Sequence, residues 1–200
     1  MPTSRALRPP PLGKLRGPRL RRVFERERPF ADLDAGAAAP GCWIAGPPGM
    51  GNTTLVATYL QAAATPCIWL QLDAGDADPA TFVHFLLAAV ALELPRPGRQ
   101  GPPPSSDDLR DFTAYLRRLF RRLAAVLEPP WALVLDNAQE LGAQAAVHAA
   151  LAAVLAELPE RARVFFISRE PPPPACARAL AGQQLALVDE RQLRFSAQDT

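Results

Sequence analysis

The 200 residues carry 22 basic and 20 acidic side chains, a formal net charge of +2, and 48% of them are apolar. That balance is globular: it excludes a disordered, collagen-like or polyelectrolyte chain, and the length suits one α/β domain. No apolar run is long enough for a membrane-spanning helix, and no signal-peptide pattern of basic start, apolar run and small-residue cleavage site is present.

The charge is uneven. Residues 1–28 hold nine basic and two acidic side chains, a net of +7, and the remainder carries −5. A basic, proline-rich leader is either a solvated, partly ordered tail or a contact for nucleic acid or an acidic partner. Pro9-Pro10-Pro11 breaks any amphipathic helix there, which argues against a transit peptide. Cys42, Cys67 and Cys176 are odd in number, far apart and set in apolar surroundings. They read as buried free thiols of a reducing, cytoplasmic compartment.

Residues 42–45 form a short apolar run that suits a buried parallel strand. Gly46-Pro47-Pro48-Gly49-Met50-Gly51-Asn52-Thr53-Thr54 follows, and residues 54–60 open a helix. The nine residues match a phosphate-binding loop, G-x-x-x-x-G-K-[ST], at every position but Asn52, where the lysine belongs. Glycines let backbone N–H groups converge on phosphate oxygens, and the helix N-terminus adds unpaired donors and partial positive charge. Thr53 stands where its hydroxyl reaches a phosphate-bound Mg²⁺. Asparagine keeps a donor but loses the charge and most of the reach. A charged hydrogen bond contributes about 1.5–3 kcal/mol net, so its loss weakens nucleotide binding by roughly tenfold to a few hundredfold.

A second strand is predicted at 67–72. Asp73, Asp76 and Asp78 come next, at a spacing unlike a calcium loop, and Asp78 before Pro79 reads as a helix cap. Residues 79–94 show helical spacing at Phe82, Phe85, Leu86, Ala89 and Val90, and His84 within them reads as structural or surface. Residues 95–104 are a proline- and glycine-rich loop. One long helix then begins after Ser105-Ser106-Asp107-Asp108, with Leu109, Phe112, Leu116, Leu119, Phe120, Leu123 and Val126 as its apolar stripe. Arg117-Arg118 and Arg121-Arg122 lie off the stripe, as a solvated face or a grip for an acidic partner.

Residues 131–136 are an apolar strand ending in Asp136, a Walker B pattern whose carboxylate holds Mg²⁺ directly or through water. Asn137 stands where many ATPases carry a second acid, and an amide cannot accept the proton of an attacking water. Glu140 is too far along the chain to be assumed a substitute. A helix at 144–158 and a strand at 164–169 follow. Ser168 and Arg169, at a parallel strand's C-terminal end, face the nucleotide crevice. Arg169 either reaches a γ-phosphate or is salt-bridged at the strand end. A short helix around 175–181 and a strand at 185–188 complete an α/β, three-layer P-loop nucleoside triphosphatase (NTPase) fold with a mostly parallel sheet.

The order of "PRLRRVFERERPFADLD", "GPPGMGNTTLVATYL", "WLQLDAGDADPATFVHFL", "LVLDNAQEL", "VFFISREPPP" and "LRFSAQDT" resembles the N-terminal ATPase domain of MalT-type transcription regulators. These are large LuxR-family-like activators of the signal-transduction (STAND) class of P-loop NTPases. The resemblance covers about residues 15–200. It implies a switch that binds ADP at rest and ATP when active, with Mg²⁺, and it implies that Arg169 senses the γ-phosphate. It also implies self-association or contact with further regulator domains. On this reading 1–28 is the basic leader, 29–190 the NTPase domain and 191–200 the start of a following domain. No helix-turn-helix pattern occurs, so direct DNA binding by these residues is not expected.

Three functions compete at this stage. One is a nucleotide-binding regulatory module with weak or no turnover, using the cradle at 46–54 with Asp136 and Arg169. Another is a working ATPase in which Arg26 or Arg28 replaces the lysine charge. The last is a pseudo-NTPase scaffold that has lost its ligand.

Overall fold

In the computed structural model, residues 12–20, 27–93 and 103–193 are described. In chain order the elements are α1 (Glu27–Ala35), β1 (Gly41–Ala45), α2 (Asn52–Ala62), β2 (Cys67–Gln71), α3 (Pro79–Glu93), α4 (Ser106–Arg110), α5 (Phe112–Val126), β3 (Trp131–Asp136), α6 (Ala146–Val154), β4 (Ala162–Ser168), α7 (Ala177–Ala181), β5 (Leu185–Val188) and α8 (Glu190–Leu193). Short 3-10 turns join several of them. The five strands form one all-parallel sheet in the order β2-β3-β4-β1-β5.

The strands are largely apolar because helices cover both faces of the sheet. Alternate side chains go to opposite layers. Trp43, Ile68, Leu70, Leu133, Leu135, Val164 and Phe166 pack with α3, α5 and α6. Cys42, Ile44, Trp69, Ala132, Val134, Phe165 and Ile167 pack with α1 and α2, where Leu33, Leu55, Val56 and Leu60 are buried. Truncating any of these leucines to alanine costs about 2–5 kcal/mol. α3 is buried on most of its circumference, at Phe82, Val83, Leu86, Leu87, Ala89 and Val90. Arg163 holds α1 in place: its guanidinium donates to the Leu33 carbonyl at 3.3 Å and the Gly36 carbonyl at 3.2 Å.

The predicted long helix after residue 105 is two. Asp111 leaves helical geometry (φ −119°, ψ 68°), and its carboxylate caps α5 by accepting the Ala114 N–H at 3.1 Å. Capping a new helix outcompetes continuing the old one at this residue. Three of the four arginines off the stripe pair within the domain. Arg121 meets Glu157 at 2.8 Å, Arg117 the same carboxylate at 3.7 Å, and Arg118 meets Asp108 at 2.6 Å. Such exposed pairs contribute at most about 1 kcal/mol each.

Asp78 caps α3 by accepting the Thr81 N–H at 2.8 Å. Asp73 and Asp76 form a reciprocal capping box around the 3-10 turn Ala74–Ala77. A second role for these two carboxylates is not visible in their spacing. Lys14, from the basic leader, lies 2.6 Å from Asp73 and 2.7 Å from Asp76, and its ammonium sits 3.9 Å above the Phe85 ring centre. Residues 12–20 thus form an arm over β2, the edge strand. Leu15 joins the core on one face of the sheet, and Gly17 lies against Trp69 on the other. A Cβ at Gly17 would come within 2.9 Å of the indole, so the arm lies this close only as glycine.

Cys42 and Cys176 are buried free thiols, each pushed up to about 11 by burial, while Cys67 is half-buried. No helix among the described residues is long and apolar enough to cross a membrane.

Candidate nucleotide site

The site lies at the C-terminal edge of the sheet, where β1, β3 and β4 end. β1 runs into the loop at Gly46, whose N–H donates to the Ser168 carbonyl at 3.1 Å. Gly49 and Gly51 take φ of +87° and +77°, a left-handed backbone that favours glycine. An added Cβ at either would meet nothing within 4 Å, so these glycines set the turn and leave open space in front of it. α2 starts directly after, with Gly51 as its cap and the Leu55 N–H closing on the Gly51 carbonyl at 2.8 Å.

Asn52 turns back on its own loop: its amide Nδ2 donates to the Gly46 carbonyl at 3.1 Å. The side chain therefore braces the loop. Thr53 Oγ1 donates to Asp136 Oδ1 at 3.1 Å, uniting loop and β3 at one carboxylate. The Asn137 N–H donates to the same oxygen at 3.1 Å. Burial raises the Asp136 carboxyl above its ordinary 3.8. Hydrogen bonds from Thr53 and the Asn137 amide oppose the rise without cancelling it. A buried carboxylate beside a hydroxyl, facing a glycine cradle, fits a divalent cation held with phosphate oxygens.

These residues share a cavity of about 290 Å³ with Asn137, Gln139, Ser168 and Arg169. The structure brings together the loop residues Gly46 to Gly51, Asn52, Thr53, Asp136 and Arg169, as the sequence spacing requires. Met50 and Thr54 flank the cavity without lining it. Arg169 is exposed and has no ion pair among the described residues, so the salt-bridged alternative finds no partner there. Arg26 and the Arg28 side chain lie outside the described residues.

Gln139 is the site residue that the sequence left unread. Asn137 takes a left-handed turn (φ 64°), and the 3-10 turn Ala138–Leu141 swings Gln139, not Glu140, back to the cavity. Gln139 Oε1 accepts the Arg169 N–H at 3.1 Å, linking the loops after β3 and β4. A left-handed asparagine after a strand-ending aspartate was the available signal, since it reverses the chain within two residues.

Asp136→Asn keeps the acceptor for Thr53 and removes the buried charge. Its melting temperature without ligand near neutral pH is expected to rise by roughly 2–4 °C, what about 1 kcal/mol moves in a domain of this size. The sign follows from the raised folded value. Above it the carboxylate is ionised in both states and the burial penalty on folding is complete. As pH falls from that value towards the ordinary 3.8, the folded state takes up the proton and the advantage of the asparagine closes. Thermal melts across that range, by circular dichroism, measure both effects.

A parallel sheet carrying a glycine loop, a threonine in the first turn of the following helix and a strand-ending aspartate at one edge defines a P-loop nucleoside triphosphatase domain. The chain belongs to the AAA ATPase domain family, whose model matches residues 22–167. It is 30% identical to the HTH-type transcriptional regulator MalT of Cronobacter sakazakii over 187 residues, and to those of Yersinia enterocolitica over 184 and Serratia proteamaculans over 186. Each match covers 90% of this chain and 20% of the relative, so the chain spans about a fifth of the length of the curated relatives it matches.

Proposed function

We propose that this chain is the nucleotide-responsive domain of a MalT-like transcriptional regulator, binding adenine nucleotide with Mg²⁺ and turning it over weakly or not at all. The observation that carries this reading is Asn52. Its amide is spent on the Gly46 carbonyl, and Arg169 is the only cationic residue lining the cavity among the described residues. The backbone cradle, Thr53 and Asp136 remain, so the parts that bind phosphate and metal outnumber those that drive hydrolysis. In this reading Thr53 and Asp136 hold the Mg²⁺, which when bound neutralises charge between the phosphates. Arg169 meets the γ-phosphate end, and Gln139 fixes the Arg169 backbone there. Asn137 offers no base for water.

A fluorescent ATP analogue with Mg²⁺ tests this directly. Saturable binding, competed by ATP and by ADP, with phosphate release no faster than in buffer, is the expected result. The absence of saturation up to millimolar analogue would leave only a scaffold. Release that is abolished by Asp136→Ala would make the chain a working ATPase.

A further inference from the structure

Behind the nucleotide cavity lies a second one, of about 270 Å³, on the other side of Gln139 and Ser168. At roughly 30 Å³ per water this is room for about nine waters, near the lower bound of small-molecule pockets. Its floor is Trp43, 1% exposed, tilted at 48° against His148 with ring centres 5.9 Å apart. One wall is the run Pro171 to Pro174, whose fixed backbone angles hold it open. Two hydrogen bonds pin that run at its start: the Trp43 indole donates to the Glu170 carbonyl at 3.0 Å, and the Glu170 N–H donates to Ser168 Oγ at 3.0 Å. The wall is therefore formed before any ligand arrives.

His148 lines this cavity, is 2% exposed, and carries an Nδ1 with no hydrogen-bond partner. Burial lowers its pKa, opposed more weakly by the nearby Gly142 backbone, so the imidazole is neutral at physiological pH. A neutral imidazole carries one proton, and with that proton on Nε2 the unpartnered Nδ1 is an acceptor. The Glu170 carboxylate at the rim also accepts and repels anions. An aromatic floor and rigid apolar walls around the unpartnered His148 nitrogen favour a flat ligand that donates to it.

We propose that this cavity is a second ligand site, for a small, uncharged, planar aromatic molecule bearing one hydrogen-bond donor. The site is inferred without appeal to nucleotide binding, although its cavity shares Gln139 and Ser168 with the nucleotide cavity. Occupancy thus touches the residue that holds the Arg169 backbone.

Phenol and anisole, which differ in the donor, serve as probes on the full chain, read by the Trp43 indole N–H resonance assigned with Trp43→Phe. Phenol is expected to shift it saturably, with anisole at least about tenfold weaker, the discrimination one hydrogen bond to an unpaired acceptor supplies. His148→Phe should erase that preference, and Ala143→Trp, which fills the cavity from an exposed turn, should abolish both shifts while circular dichroism stays unchanged. Equal binding of the two probes, a shift that never saturates, or binding that survives Ala143→Trp overturns the proposal.

Discussion

Replacing Lys14 with methionine is expected to lower the melting temperature by roughly 6–20 °C, on the scale of truncating a core leucine. Its ammonium is 2.7 Å from Asp76, which is completely buried, and its own side chain is only 9% exposed. Removing one member of a buried ion pair leaves the other charge uncompensated, at a cost of about 3–5 kcal/mol. In a domain of this size each kcal/mol moves the midpoint by roughly 2–4 °C. Methionine keeps most of the side-chain volume, so the loss is electrostatic and not a cavity. Removing both charges, in Lys14→Met with Asp76→Asn, should recover more than half of the loss, because an asparagine oxygen still accepts the Asp73 N–H of the capping box. Thermal melts of the two variants settle it: a single variant within about 2 °C of the parent would show that water already compensates Asp76. The loss should persist in high salt, which screens buried pairs far less than exposed ones.

Asn52→Lys is expected to tighten ATP binding by at least about tenfold and by up to a few hundredfold. The native amide reaches only the Gly46 carbonyl. A lysine is two atoms longer and carries a full charge, enough to leave that carbonyl and lie over the phosphates. The gain should be larger for ATP than for ADP, since the ammonium of such a loop serves the β- and γ-phosphates together. Asn52→Ala separates charge from bracing: it removes the loop hydrogen bond, about 0.5–1.5 kcal/mol, and gains nothing on the nucleotide. Isothermal titration of both variants with each nucleotide gives the comparison. Equal affinities for the native and lysine proteins would mean that another cation already stands at the phosphates.

The sheet was legible because burial on both faces makes parallel strands continuous apolar runs. Trp131–Asp136 and Leu185–Val188 fall where the runs do, and Ala162–Ser168 begins two residues before its run and ends one earlier. The phosphate cradle was legible for a related reason: a glycine that must take a positive φ leaves its mark in sequence. What the sequence hid depends on distance. The Lys14–Asp73 contact spans 59 residues and joins two stretches that each look like ordinary solvated surface. Gln139 enters the site through a backbone reversal at Asn137, a position whose sequence context points only to a missing acid. The break at Asp111 turned on a side chain choosing between two helices, a competition that an apolar stripe cannot register.

Lys14 is also the only lysine in the chain. Its ε-amine meets an acylating reagent only when the arm lifts away from β2 and α3. Each such excursion in native buffer can then be recorded as a covalent mark at one known position. The rate at which that mark accumulates, set against the rate of complete unfolding, is a clock for the arm alone, written in a residue that helps to keep it closed.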